Sequence, residues 1–150
     1  MDLRSPAFEN GEPIPPRYTC EGENLSPPLA WSGVPEKARA MALVLDDPDA
    51  PAKVWVHWVL YNLPPDAGML PEGTQGLKAT AREGRNDFGD LGYGGPCPPR
   101  GTHRYRFRLF ALDEHLDVGE GCSKSELLTA MEGHVLAEAE LTGTYAKVRR

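Results

Sequence analysis

The stretch Gly92–Phe107, GYGGPCPPRGTHRYRF, decides how the rest of the chain is read. Its first half can be neither helix nor regular strand. Pro96, Pro98 and Pro99 fix φ and lack a backbone donor, while Gly92, Gly94, Gly95 and Gly101 permit turns closed to other residues. Its second half alternates: in an extended chain His103, Tyr105, Phe107, Leu109 and Ala111 point one way, and Arg104, Arg106 and Arg108 the other. That contrast predicts a strand with one buried face and a solvated arginine face. A stiff loop feeding two polar rings on a buried face predicts the wall of a small pocket.

Upstream lie two more strands. Ala40–Leu45 is apolar on both faces, with Met41, Leu43, Leu45 and Asp47 sharing one. In Val54–Leu63, strict alternation groups Trp55, His57, Val59, Tyr61 and Leu63 against Val54, Val56, Trp58 and Leu60. Strands apolar on both sides belong in the middle of a sheet. DDPDAPAK at 46–53 is a loop, because Pro48 and Pro51 cannot join a sheet interior. The segments 64–76 and 79–92 are polar and without period, so loops are expected there too. Ser123 and Glu126 have capping-box spacing, and helical spacing continues through ELLTAMEGHVLAEAEL, divided or weakened at Gly133. A last strand is expected over Leu141–Val148.

At 150 residues, 40% hydrophobic and 25% charged, the chain reads as one globular domain spanning 1–150. Its 16 glycines and 15 prolines point to a loop-rich, mainly β protein. A net charge of -6 gives no electrostatic case for nucleic acid or an anionic membrane surface. No apolar run approaches the roughly 18 residues of a membrane span, and the N-terminal MDLRSPAFENGEPIPP has no signal-peptide core. Cys20, Cys97 and Cys122 are an odd number at irregular spacing, neither a disulfide framework nor a zinc pattern. The expectation is a cytoplasmic protein with reduced thiols, with a single Cys20–Cys97 bridge left open.

Few polar side chains stand against apolar surroundings. Asp47 ends one strand, His57 sits inside another, and His103 and Tyr105 begin a third. A charged Asp at such a place needs partners, and imidazole and phenol groups can donate to it or to an anion. Brought together, the four would make a polar cavity, with glycine-loop N–H groups adding to an anion nest. Each also has a plainer reading: His57 as a hydrogen-bonded core residue, Asp47 as an Asx-turn residue, Tyr105 as core. Two hydrolase alternatives use the same residues. One pairs Cys97 as a thiol nucleophile with His57 or His103; the other sets a metal among Asp47, Asp49, His57 and His103. Neither carries a specific motif. GYGGPC is no nucleotide loop, having neither the Lys-Ser/Thr pair nor a following helix.

DPDAP at 47–51, VWVHW at 54–58 and GGPCPPRGTHRYRF at 94–107 together resemble the phosphatidylethanolamine-binding protein family, and within it the small bacterial and archaeal branch that includes the Raf kinase inhibitor-like proteins. CEGENLSPPLAWSGVP and the segment leading into LTGTY are similar as well, so the likeness runs from about Tyr18 to Tyr145. It implies a sandwich of two antiparallel sheets, with short peripheral helices falling here near 123–140. It also implies an anion pocket with no cofactor, taking phosphate, a small carboxylate or a phospholipid head group. Matched by motif, that pocket would use Asp47, Asp49, Pro51, Trp55, His57, Gly95, Cys97, Pro98, Pro99, His103 and Tyr105. Family members are described as inhibitors of kinases or serine proteases, and homodimers are expected by analogy. The resemblance attaches no catalytic residue and no metal to the pocket. Animal members carry a His pair where this chain has Val56 before His57, and their loop before His103 is longer. With the chain ending at Arg150, no C-terminal helix is expected over the pocket, which implies a more open site. Anion binding therefore transfers better than lipid binding or kinase inhibition. The reading is a non-enzymatic anion-binding protein in which His57, His103 and Tyr105 donate, Asp47 holds a histidine, and Trp55 and the prolines form the apolar wall.

Overall fold

The three strands legible from their patterns lie side by side in a five-stranded antiparallel sheet. The computed structural model describes residues 1–74 and 81–148. Within them β1 (Asp2–Arg4), β2 (Leu29–Ser32) and β5 (Met69–Leu70) form a small sheet in the order β1-β2-β5. The larger sheet contains β3 (Ala40–Asp47), β4 (Trp55–Leu63), β6 (Arg82–Glu83), β7 (His103–Leu112) and β8 (Val135–Tyr145), ordered β6-β4-β3-β7-β8. One helix, α1 (Lys124–Met131), packs on the outer face. No helix among the described residues is long and apolar enough to cross a membrane. Part of the expected loops, at 75–80, lies outside the described residues.

The central sheet is buried on both faces, as its doubly apolar strands require. Between the sheets, Leu3, Leu29, Trp31 and Leu70 meet Met41, Leu43, Leu45, Trp58, Leu60, Phe107 and Leu109. On the far face Ala42, Val44, Val59, Tyr61, Phe110 and Leu112 pack under Leu127 and Met131 of α1. Each fully buried large side chain contributes roughly 1.5–3 kcal/mol, which is what fixes the sheet's register.

Strict alternation fails in β4. Leu45 pairs with Trp58 and Asp46 with Val56, so His57 is an extra residue; a second irregularity lies between the pairs Met41–Leu63 and Leu43–Leu60. At the second one Asn62 adopts φ 56°, and its amide both donates to Leu116 O (2.9 Å) and accepts from Leu116 N–H (2.8 Å). Each bulge moves the pattern by one residue. Trp58, Leu60 and Leu63 therefore face the inter-sheet core, and Val56, Val59 and Tyr61 face the helix. Both expected faces are therefore corrected: Val59 and Tyr61 part from Trp55, His57 and Leu63, and Val56 parts from Trp58 and Leu60. The first bulge also lets His57 and Trp58, neighbours in sequence, both turn to the inter-sheet side, His57 edge-on to Tyr105 and Trp58 edge-on to Tyr93.

The end of the chain differs too. The capping box forms: Glu126 N–H donates to Ser123 Oγ (3.1 Å) and Ser123 N–H to Glu126 Oε1 (2.8 Å). The helix then stops at Met131, and Gly133, at φ 80°, reverses the chain. The residues beyond Gly133, expected as helix, form a strand instead. β8 begins at Val135 and pairs with β7 from Val135↔Leu112 to Tyr145↔His103. Ala137, Ala139, Leu141, Gly143 and Tyr145 turn inward while Glu138 and Glu140 stay exposed, a period of two that outweighs the helix propensity of Ala, Glu and Leu.

The thiols differ as well. Cys20 and Cys97 form a disulfide, Cα–Cα 5.4 Å, and Cys122 is the free, buried cysteine. The bridge follows from the docking of segment 17–26 on the proline loop. Cys20 N–H donates to Pro96 O (3.1 Å), Gly95 N–H to Asn24 Oδ1 (3.0 Å) and Tyr93 Oη–H to Tyr18 O (2.6 Å).

Candidate functional site

Because the sheet is antiparallel, the end of β3 and the starts of β4 and β7 lie at the same edge of the molecule. Asp47, Trp55, His57, His103 and Tyr105 meet there around a cavity of about 230 Å³. Pro51, Cys97, Pro98 and Pro99 wall it, together with Ala50, Ala52 and Phe88.

Each polar group on the floor is held differently. Asp47 does two jobs: Oδ1 accepts from Asp49 N–H (2.7 Å), and Oδ2 lies 2.6 Å from His103 Nδ1. The first is the Asx turn that starts the DPDAP loop; the second fixes the His103 ring. Both residues are buried, so the carboxylate accepts and His103 Nδ1 carries the hydrogen. His57 Nδ1 lies 2.6 Å from Gly94 O. A carbonyl only accepts, so Nδ1–H donates there as well. Burial drives the His57 pKa below its usual value, and the Gly94 carbonyl with the Asp47 and Asp46 carboxylates oppose this only in part. Tyr105 is fully buried, and although the Cys97 backbone N–H approaches its oxygen, its O–H has no acceptor among the described residues. Burial, then the Asp47 and Asp49 charges, push its pKa up, so it remains a neutral donor. Its ring stands edge-on to His57, with centroids 5.3 Å apart, and stacks on His103 at 6.4 Å.

The expected residues do not all converge. Asp49 turns outward and grips Arg104 through Nε (2.9 Å), Nη2 (2.8 Å) and the backbone N–H (2.9 Å). These bonds hold its pKa down to about 2 and pin the DPDAP loop to β7. Gly95 does not line the cavity either. A Cβ there would stand 2.2 Å from Asn24 Oδ1 and 2.5 Å from Tyr18 O, so its bare backbone is a packing requirement. Cys97 lines the cavity, but with its sulfur bonded to Cys20 it is no thiolate nucleophile. The metal alternative meets a similar obstacle, because Asp47 and His103 spend ligand atoms on each other and Asp49 is held by Arg104.

Two features escape the sequence reading. Phe88, 46% exposed, stands at the mouth with its ring edge-on to Trp55 (5.6 Å) and His57 (5.3 Å). It belongs to a turn built on Asn86, whose Oδ1 accepts from Phe88 N–H (2.9 Å) and Asp90 N–H (3.1 Å). Its one signal in sequence is an aromatic isolated in a polar stretch. The other is Asp46, 0% exposed on the opposite face of β3, bonded to Arg106 (2.9 Å), Arg108 (3.2 Å) and Lys124 (2.7 Å). Burial raises its pKa, but the hydrogen bonds and charges of Lys124 and Arg106 outweigh burial and the net shift is downward. The arginine face of β7 is therefore not simply solvated: Arg106 and Arg108 tie α1's first residue to the sheet through one carboxylate.

A family model described as phosphatidylethanolamine-binding protein matches residues 4–146. The chain belongs to the phosphatidylethanolamine-binding protein family. A UPF0098 protein of Methanothermobacter thermautotrophicus is 54% identical, the match covering 98% of this chain and 99% of that protein. One of Chlamydia muridarum is 49% identical, over 97% and 98%. Among solved structures, the putative family homologue CT736 of Chlamydia trachomatis superposes with a TM-score of 0.92 at 46% identity, covering 97% of each chain. Escherichia coli YbcL, described as a new member of the mammalian PEBP family, gives 0.90 at 34%, over 97% and 98%. Family and two-sheet fold agree with the sequence reading.

Proposed function

We propose that this chain is a non-enzymatic binding protein whose cavity takes a small phosphate-like oxyanion. The observation that carries the reading is the Tyr105 hydroxyl, whose buried O–H has no acceptor among the described residues, on a ring stacked against a His103 that Asp47 holds from behind. A buried hydroxyl left unpaired costs about 1–3 kcal/mol, so a site that keeps one is built for a group that completes it. When His103 takes a second proton, Asp47 balances its charge and Nε2–H becomes a charged donor beside that hydroxyl. Trp55, Phe88, Pro51, Pro98 and Pro99 supply the apolar wall that a small-molecule site needs. A phosphorylated or carboxylate side chain of a kinase or protease would meet the same donors. The disulfide in the wall disfavours the thiol hydrolase, and a persistent bridge suits an oxidising compartment or a hyperthermophile's cytosol.

The test is a titration with O-phosphoethanolamine monitored by the ring NMR signals of His57 and His103. Both are expected to shift saturably, and Tyr105→Phe to weaken binding roughly 10- to 100-fold, the worth of one hydrogen bond to a charged group. Histidine signals unmoved at high millimolar ligand would remove the proposal.

A further inference from the structure

We infer that the cavity selects an oxyacid that still carries an acidic hydroxyl, the monoanion of a phosphate monoester, because His57 offers it an acceptor. This rests on the anion site proposed above. The two histidines are wired differently although both line the cavity. His103 has a carboxylate behind its Nδ1, whereas His57 has the neutral carbonyl of Gly94, 2.6 Å away. With Nδ1–H committed to that carbonyl, the neutral His57 ring presents a bare Nε2 lone pair to the cavity, not the donor expected from sequence.

The surroundings keep it neutral. The titratable groups that line the cavity with His57 are Asp47 from the end of β3 and Tyr105 and His103 from β7, while the charge of Asp46 acts from the other face of the sheet; its other ring neighbour, Phe88, does not titrate. Burial outweighs the pull of both carboxylates. The bulge at His57 fixes the ring in this role, since the ring packs edge-on to Tyr105 on one side and Phe88 on the other. A fully deprotonated oxyanion would set its lone pairs against that of Nε2. A P–OH group instead donates to Nε2, while the remaining oxygens accept from Tyr105 and His103. A phosphodiester, the chemistry of an intact phospholipid head group, has no such hydrogen and is disfavoured; a monoester has one.

Three probes separate these cases on the wild-type protein by isothermal titration at pH 6: methyl phosphate, methyl sulfate and dimethyl phosphate. The methyl phosphate monoanion and methyl sulfate match in charge and size and differ in the acidic hydrogen, so any contribution of His103 protonation cancels between them. Methyl phosphate is expected to bind roughly tenfold or more tightly than either of the others. Its affinity falls as pH rises past its second pKa, about 6, and falls more steeply than that of methyl sulfate, which responds only to the charge on the histidines. Long-range 1H–15N spectra of the free protein at pH 7 are expected to show His57 protonated on Nδ1 and bare on Nε2. Equal binding of methyl sulfate and methyl phosphate, or affinity for methyl phosphate that is flat or rising between pH 6 and 8, overturns the inference and leaves the anion site standing. The opposite His57 tautomer overturns it likewise. If none of the three probes binds at any pH, the anion site fails, and the inference fails with it.

Discussion

Reduction of the Cys20–Cys97 bridge should weaken both the fold and the pocket, and the size of the first effect can be worked from the chain. The bridge spans 77 residues of sequence. Closing a loop of that length removes denatured-state entropy worth about 4.5 kcal/mol in the chain-entropy model, and removal of native bridges from small domains typically costs about 2–5 kcal/mol. The lower half of that range is expected here. Three hydrogen bonds, from Cys20 to Pro96, Gly95 to Asn24 and Tyr93 to Tyr18, still hold segment 17–26 to the loop without the sulfur bond. At about 3 kcal/mol the thermal midpoint of a 150-residue protein drops by roughly 6–12 °C. The assay is thermal unfolding with and without dithiothreitol, beside the Cys20→Ser variant, which should behave as the reduced protein does. A thiol count in denaturant without reductant should return one thiol per chain, Cys122. Because Cys97, Pro98 and Pro99 line the cavity, the reduced protein should also bind phosphoethanolamine more weakly. Three thiols in the unreduced protein, or a midpoint indifferent to confirmed reduction, would refute the reasoning.

Asp46→Asn leaves Arg106, Arg108 and Lys124 without their shared carboxylate. Those side chains are 31%, 22% and 19% exposed, so they can partly turn to water, and the loss is set at about 2–3 kcal/mol at pH 7, below the 3–5 of a fully buried pair. The folded-state pKa of Asp46 is lowered, so its contribution is present above the unfolded carboxylate range and disappears as pH falls through the folded value. Denaturant unfolding should therefore show a full gap between wild type and variant above about pH 5 that narrows below about pH 4; a pH-independent gap would contradict it. Tyr105→Phe should leave stability within about 0.5 kcal/mol of wild type or raise it, because the hydroxyl donates to no protein acceptor and the Cys97 N–H makes no full hydrogen bond to it. A large loss of stability in that variant would mean that the hydroxyl serves the fold and not a ligand.

What can be read from the sequence depends on contrast. β7 is legible because its arginines oppose an apolar face, and that alternation places His103 and Tyr105 together on the buried side. β4 is legible as a strand, yet its faces are not, because a strand apolar on both sides hides a bulge: shifting Val59 for Trp58 changes nothing in a hydrophobicity pattern. Most of β8 reads as helix because Ala, Glu and Leu favour one; ten residues of β7 with their backbone groups open to pairing decide otherwise. The disulfide and the Asp46 cluster join residues far apart in sequence, 77 positions for the cysteines, and spacing alone cannot show that. Asp49 and Gly95 sit beside true lining residues and belong to the motifs, but they serve the loops that frame the cavity. Phe88 carries no periodic pattern, only its isolation as an aromatic in a polar stretch.

The most direct test of the central claim is a crystal structure of the protein grown with millimolar methyl phosphate. An oxyanion is expected in the cavity within hydrogen-bond distance of both Tyr105 Oη and His103 Nε2, with one further oxygen facing His57 Nε2. An ordered pocket that holds water beside Tyr105 and no phosphate, at a ligand concentration that saturates the protein in solution, would contradict it.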